Sequence, residues 1–352
     1  MAGEVQLTAL ASSLKQTTAP NREVQMIPNE MKVIDIKEFG APDMLIPAMR
    51  DVPVPGPTEV LVKVTAVGVN GPDIIQRKGF YPPPKGASDL LGLEVSGEIV
   101  ALGVEVVNWS VGDKICALTN GGGYAQYVAV EQSHCLPIPQ GVSEIDAAGL
   151  VETFFTVWSN VFMDHDIKPG SLLLVHGGAG GIGTAALQLG VALGLRVFVT
   201  AGSAENCAFC QELGAERAIN YRDEDFVEIV RAVGGADIIL DIIGGDYIAR
   251  NFKTANPDAH VIQLAFNKGS KVEINLMPVM LKRLIYRGST LRSRPSAFKT
   301  RLTADVVQHI WPLFAANTLR TITHAVLSFD EASAAHTMME QGGHRGKIIL
   351  TL

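Results

Sequence analysis

The sequence predicts an α/β protein in two lobes: a small β-barrel or sandwich, followed by a doubly wound parallel sheet. Three observations carry that expectation. Between Met31 and Pro139, short β-like runs are separated by turn residues with no long amphipathic helix among them. After Val142, buried strand-like runs alternate with helical ones. The first of those later strands, SLLLVHG, leads through a glycine-rich turn into an Ala- and Leu-rich helix. The first texture is that of a β-barrel, and the second is that of a parallel sheet covered on both faces.

Taken in order, residues 1–30 show no sustained period and many small polar side chains, and are expected to be a loosely ordered extension. MKVIDIKEF, EVLVKVTAVGV, LEVSGEIVAL, DKICAL, YAQYVAV and CLPIP are the strand runs of the first lobe, punctuated by Pro-Gly, Gly-Gly and Gly-Asp pairs. SEIDAAGL and ETFFTVWSNVFMDH read as helices. SLLLVHG, RVFVTAG, RAINY, ADIILDIIGG, HVIQLAF and RGSTLR then read as six strands separated by helical segments. After Arg292 the pattern turns helical again and closes on the strand-like KIILTL.

Composition bounds what such a chain does. With 352 residues, 47% of them hydrophobic and 18% charged, two domains can each bury a core. A net charge of −7 speaks against a nucleic-acid footprint. No apolar run reaches membrane-spanning length, and the N-terminus lacks a basic-then-apolar signal pattern. Cys116, Cys135, Cys207 and Cys210 make no disulfide framework in so long a chain, so a reducing cytoplasm is expected. Cys207 and Cys210 do form a C-x-x-C. It falls inside a helix rather than at a helix start, where a thiol would gain its low pKa, so no redox role is expected.

The densest signal is SLLLVHGGAGGIGTAALQLGVALG, from Ser171 to Gly194. Gly178, Gly180 and Gly183 satisfy G-x-G-x-x-G between a strand and a helix, which is the setting that makes the motif informative. The three glycines are expected to allow a tight turn, close backbone approach to a pyrophosphate, and close packing of helix on strand. Ala179, Gly181 and Ile182 complete the cradle, with the pyrophosphate on unpaired N–H groups at the helix start. A site selective for NAD carries an acid about 20 residues beyond these glycines. Here the second strand ends VFVTAGS, so Gly202 and Ser203 stand there and a 2′-phosphate is admitted. Ser203, Tyr221 and Arg222 are candidates to hold it. NADP, as NADPH, is the expected cofactor. Ala265 and Phe266, which end the run HVIQLAF, are counted with the cofactor residues.

VHGGAGGIGTAALQL, together with GVNGPDIIQRKGFYPPP, LGLEVSGEIVALG, GDKICALTNGGGYAQYV, ETFFTVWSNVF, LGAERAINYRDEDF, GGDYIARN, GSTLRSRP and GKIIL, resembles the NAD(P)H quinone oxidoreductases. These are the zeta-crystallin-like, zinc-independent branch of the medium-chain dehydrogenase/reductase superfamily. The resemblance runs from about Met31 to the C-terminus in family order. It implies a GroES-like catalytic domain over 31–152, a Rossmann cofactor domain over 153–292, and a segment over 293–352 that completes the first. It also implies a homodimer, formed through the edge strands of the two cofactor sheets. The positions that hold a catalytic zinc in related alcohol dehydrogenases look like Asn70, Leu93 and Glu152, with Glu94 retained. Carboxylates without thiolate or imidazole make a poor zinc site, and the four-cysteine structural zinc lobe is absent too.

The same resemblance assigns roles residue by residue. Asn70 falls where the family has an asparagine near the nicotinamide, and read alone it is a turn residue before Gly71-Pro72. Tyr81 matches a tyrosine beside the substrate pocket, or is an aromatic packed on prolines. Thr156 matches a threonine that approaches the cofactor, or is an interior hydroxyl bonded back to a carbonyl. Lys347 either approaches the cofactor or is a surface lysine. Arg292 and Arg294 serve the cofactor, the dimer interface, or a solvated or structural ion pair. Relatives often carry a Lys or Arg three residues past the serine, where this chain has Asn206. The expected activity is NADPH-dependent reduction of a quinone, with Asn70 and Tyr81 in the catalytic pocket. The alternatives are an enal, enone or enoyl-thioester reductase of the same fold, or an NADPH-binding structural protein.

Overall fold

The computed structural model describes residues 26–352, so residues 1–25 of the expected extension lie outside the described residues. β1 (Glu30–Ile36) and β2 (Leu45–Asp51) pair antiparallel with Ile34 opposite Pro47. The valine-rich β3 (Glu59–Val69) is almost wholly buried, with three other strands of the lobe pairing along it. It leads into a short helix, α1 (Gly71–Arg77). β4 (Glu94–Leu102), β5 (Lys114–Leu118), β6 (Tyr127–Glu131) and β7 (Cys135–Pro137) complete the strands of the first lobe.

The crossover to the second lobe is α2 (Glu144–Ala147), which Ser143 caps by accepting from Asp146 N, and the buried α3 (Val151–Val157). α3 runs on as a wider π turn over Trp158–Phe162. Then follow β8 (Leu172–His176), α4 (Gly181–Ala192), β9 (Arg196–Ala201), α5 (Ala204–Glu212), β10 (Arg217–Asn220), α6 (Phe226–Ala232), β11 (Ala236–Asp241), α7 (Tyr247–Thr254), β12 (Ala255–Gln263), α8 (Met277–Lys282) and β13 (Ile285–Gly288). The six strands pair in parallel in the order β10-β9-β8-β11-β12-β13. The order reverses at β8, as in a doubly wound sheet, and ligands bind outside the carboxyl ends of strands at such a switch.

α9 (Ser296–His309), α10 (Trp311–Ala315), β14 (Thr323–Ser328), α11 (Ala332–Gln341) and β15 (Lys347–Thr351) return the chain to the first lobe. Its seven-stranded sheet runs β14-β15-β3-β4-β5-β7, with β6 also on β3. Phe154, Phe155, Val175, Leu189, Leu302 and Trp311 belong to one buried cluster with Cys116 and Leu136, so the two lobes share apolar packing around α3. Among the described residues, no helix is long and apolar enough to cross a membrane.

Four readings are corrected. Asn70-Gly71-Pro72 is a helix start rather than a plain turn, since Asn70 N donates to Asp73 Oδ2 at 2.9 Å across the first turn of α1. β2 and β14 were not foreseen as strands. The last strand of the second sheet is Ile285–Gly288, and STLR lies beyond it.

Candidate functional site

The glycine loop sits where β8 ends and α4 begins. The left-handed turn is at Gly177 (φ 75°), one residue before the motif. This differs from the expectation that Gly178 makes the turn; a side chain on Gly178 would lie 2.5 Å from Val199 Cβ, so that position serves the approach to β9. Gly183 allows helix and loop to touch, because a Cβ there would lie 2.2 Å from Gly177 O. Gly180 differs from both, since its nearest neighbour would be 3.7 Å away, and the space beside it is open. Thr184 N bonds back to Gly180 O, whereas the N–H groups of Ile182 and Gly183 have no acceptor among the described residues. An open face lined by free N–H groups at a helix start suits a phosphate.

A buried polar chain fixes the strand ends around this loop. His176 bonds Thr200 Oγ1 and Asn251 Oδ1, and Asn251 donates to Asp241 Oδ2 at 2.9 Å. Asp241 Oδ1 accepts from Ile243 N and Gly244 N. Burial holds the His176 imidazole below its ordinary pKa, favouring the neutral ring. At the end of β9, Ser203 caps α5 by accepting from Asn206 N at 3.2 Å. The Tyr221 hydroxyl lies against Gly202, 2.5 Å from where a Cβ would be. Ala265 and the half-exposed Phe266 follow β12 on the same edge, with the Phe266 ring against Gly244.

The C-terminal segment then runs across the loop. Gly346 N donates to Ala179 O at 2.8 Å, and Gly346 pairs with Gly180 as an isolated bridge. On one side, Arg345 Nε donates to Asn206 Oδ1 at 2.8 Å. On the other, Lys347 Nζ reaches Asn70 Oδ1 at 2.5 Å, Val69 O at 3.1 Å and Glu94 Oε1 at 2.9 Å. Three successive residues therefore touch Asn206 at the start of α5, the glycine loop and the Asn70 pocket.

Around Lys347 the buried groups form one network. Asn70 Nδ2 donates to Glu94 Oε1 at 2.9 Å, Glu152 N to Glu94 Oε2 at 2.9 Å, and Gly92 N to Asp73 Oδ1 at 2.9 Å. Burial pushes the Glu152 carboxyl up to about 7, with Lys347 opposing and Glu94 and Asp73 adding to the rise. Burial likewise takes Asp73 up to about 6, against hydrogen bonds from Gly92 and Asn70. The donor set here is amide, carboxylate and an ammonium. Among the described residues no thiolate or imidazole bonds to this network, the nearby Cys116 thiol donating instead to Leu136 O, and the Lys347 cation already neutralises Glu94, so the residues do not fit a zinc ion. Among the described residues, no group of three or more His, Cys, Asp or Glu side chains is arranged to hold a metal.

The remaining candidates separate. Thr156 Oγ1 is buried and does not bond back to the helix; it lies close enough to the Glu152 carboxyl to oppose the rise of its pKa, though outside good hydrogen-bond geometry, and it is Thr153 that bonds back, to Gly149 O and Leu150 O. Tyr81 is half-buried with the Arg292 guanidinium 5.7 Å from its ring centre. Burial raises its pKa, and Arg292 opposes the rise. Arg292 makes no solvated ion pair. It is buried and donates to Asn120 O, Ser88 O and Gln76 Oε1, while Lys299 Nζ bonds Asn120 Oδ1 and Arg292 O. Arg294 instead lies over the Phe298 ring at 3.8 Å. Arg222 is exposed. Cys207 and Cys210 are buried thiols raised by desolvation, Cys210 to about 12. Sequence reasoning missed Asp73 and Arg345. Asp73 was signalled by its position three residues after Asn70, but nothing local signalled Arg345.

The alcohol dehydrogenase GroES-like domain family matches residues 56–140, and the zinc-binding dehydrogenase family matches residues 181–307. The chain is similar to the quinone oxidoreductase of Mus musculus, with 28% identity over 334 residues that cover 92% of this chain and 98% of the relative. Among solved structures, quinone oxidoreductase of Pseudomonas syringae pv. tomato DC3000 superposes with a TM-score of 0.83 at 26% identity, covering 92% of this chain and all of that one (100%). CurK enoyl reductase superposes with a TM-score of 0.80, also at 26% identity, covering 92% of this chain and 99% of that one.

Proposed function

As this chain belongs to the medium-chain dehydrogenase/reductase superfamily, on its quinone oxidoreductase branch, we propose that it reduces quinones with NADPH and without a metal. The observation that carries the reading is Lys347 Nζ. It is held by Asn70 Oδ1 at 2.5 Å and Glu94 Oε1 at 2.9 Å in the pocket beside the glycine loop. A pocket whose cation is an ammonium bound to its own carboxylate has no Lewis acid to polarise an alcohol. A quinone needs none, because it is already electrophilic and becomes aromatic on reduction.

NADPH, when bound, supplies the hydride. The chain's own residues supply the rest. Ile182 N–H and Gly183 N–H receive the pyrophosphate at the open face beside Gly180. Ser203 and Tyr221 flank the ribose phosphate, and Ala265 and Phe266 border the same strand edge. Asn70, Thr156 and Lys347 stand at the nicotinamide end, and Tyr81 lines the acceptor side. The work of the protein is orientation and exclusion of water.

An enal, enone or enoyl-thioester acceptor is the second reading. Tyr81, half-buried beside Arg292 with no hydrogen-bond partner among the described residues, is the observation that favours it. The same proposal includes a homodimer joined through β13 and a reducing compartment, the latter supported by cysteines that are all buried and unpaired. The test is NADPH oxidation followed in stopped flow with quinones, enones and enoyl thioesters, after exhaustive chelation and elemental analysis. Rapid turnover confined to quinones, with no stoichiometric zinc, is the expected result. One tightly bound zinc per chain, or activity lost to chelator, refutes the metal-free reading. Preference for enoyl thioesters refutes the quinone one.

A further inference from the structure

The end of β9 offers a 2′-phosphate hydroxyls but no cation of its own. The segment Thr200–Asn206 reads TAGSAEN, without Lys or Arg. Arg345 reaches this place from the far end of the chain. Its Nε donates to Asn206 Oδ1 at 2.8 Å, 139 residues away in sequence. Its guanidinium lies 5.3 Å from the centre of the Phe209 ring. Its backbone is fixed on both sides, by Arg345 N on His324 Nδ1 at 3.3 Å and by Gly346 N on Ala179 O at 2.8 Å. Nε is thus engaged and one face is stacked, yet Nη1 and Nη2 have no partner among the described residues, and no carboxylate forms an ion pair with them. Glu205, the acid that follows Ser203, is exposed; its own backbone N–H, a bond from the Ser203 hydroxyl and the Arg345 charge lower its pKa, but it forms no ion pair with the guanidinium.

We propose that Arg345 is the cation of the 2′-phosphate subsite, delivered by the C-terminal segment to Ser203, Asn206 and Tyr221. This deepens the NADPH reading above and rests on it. A guanidinium pinned by one edge presents its other edge as a fork, and that fork matches phosphate oxygens two at a time. Tyr221 OH, lying against Gly202, supplies one hydroxyl donor, Ser203 Oγ supplies another by turning from the Glu205 carboxylate to the phosphate, and Asn206 acts as a positioning residue by holding Nε. Because Arg345, Gly346 and Lys347 are consecutive, the residue that distinguishes NADPH from NADH is tied by the backbone to the one that reaches Asn70. The phosphate, which adds close to two negative charges, would then draw the C-terminal segment onto the glycine loop.

The test measures binding, not turnover. Calorimetric titrations compare NADPH with NADH, and 2′,5′-ADP with 5′-AMP, in wild type, Arg345→Gln, and Arg345→Gln combined with Asn206→Arg. Thermal melts of the free proteins confirm folding. Arg345→Gln should weaken NADPH and 2′,5′-ADP by about tenfold or more, as loss of a charge-assisted contact does, and leave NADH and 5′-AMP unchanged. Asn206→Arg should restore the phosphate preference in the double variant. Equal losses for phosphorylated and unphosphorylated ligands would reduce Arg345 to a tether between lobes, and no loss at all would place the phosphate elsewhere. In both cases a wild type that still prefers NADPH leaves the cofactor reading intact. A wild type without that preference overturns the reading and this inference together.

Discussion

Glu152 belongs to the buried carboxylate network around Lys347. It is buried beside Glu94 and Asp73, and burial carries its carboxyl from an ordinary value to about 7. The folded pKa is therefore above the unfolded one. Below the unfolded pKa both states hold the proton and nothing is lost. As pH rises towards 7, the unfolded chain releases its proton while the folded chain keeps it, so stability falls across that window and then levels. Each pKa unit is worth about 1.4 kcal/mol, so the penalty at alkaline pH amounts to a few kcal/mol. Glu152→Gln should accordingly melt higher than wild type at about pH 8 and alike at about pH 4; a variant equally displaced at both would show packing, not charge. At this scale a motif singles out Gly180, Ser203 and Asn70, which lie in the glycine loop, at the end of β9 and in the Lys347 network. The sequence was opaque where a side chain acts across the fold. No spacing links Arg345 to Asn206, and which of Thr153 and Thr156 bonds back to the helix is decided by rotamer and packing.

The glycine loop separates two jobs that its sequence merges. A side chain at Gly183 meets backbone at 2.2 Å, whereas one at Gly180 meets nothing closer than 3.7 Å. Gly180→Val should therefore fold and melt near wild type, yet lose dinucleotide binding because its side chain fills the open face beside the free N–H groups. Gly183→Val should lower the melting temperature as well, since helix and loop must part. Calorimetry on one sample of each decides it, and near-native NADPH affinity in Gly180→Val would remove the phosphate cradle from this loop. Long periodic elements such as β3 and α4 were legible, because burial on both faces leaves an apolar run and a sheet-packed helix leaves Ala and Leu. Three of the misread elements carry a contrary local signal. Gly71-Pro72 looks like a turn, yet Pro is tolerated in the first helical turn. Pro47 disguises β2, an edge strand where Pro is permitted. β13 is mostly exposed, so it lacks the alternation by which strands are found.

At the scale of the whole molecule, the second sheet ends in β13, which pairs with β12 on one side and, among the described residues, with no strand on the other. An unpaired edge is a template for another strand unless it is covered or charged. Here it is flanked by apolar surface: Leu276 is 61% exposed, Met280 and Leu281 are each 66% exposed, and Ile285 and Tyr286 stand on the strand itself. A patch of this kind marks an interface. The occupant we propose is a second copy of the chain, because two identical edges related by a two-fold axis pair antiparallel and close the assembly at two. Pairing β13 with its copy would join the two sheets into one of twelve strands, twice the six each copy holds, and cover α8 of both. Light scattering on the eluting protein should give twice the chain mass. Ile285→Lys combined with Leu281→Glu should give the chain mass, with NADPH affinity retained because neither residue belongs to the glycine loop or the Ser203 edge. A wild type that elutes as a single chain would leave β13 to another partner, and a variant that stays paired would move the interface to a different face.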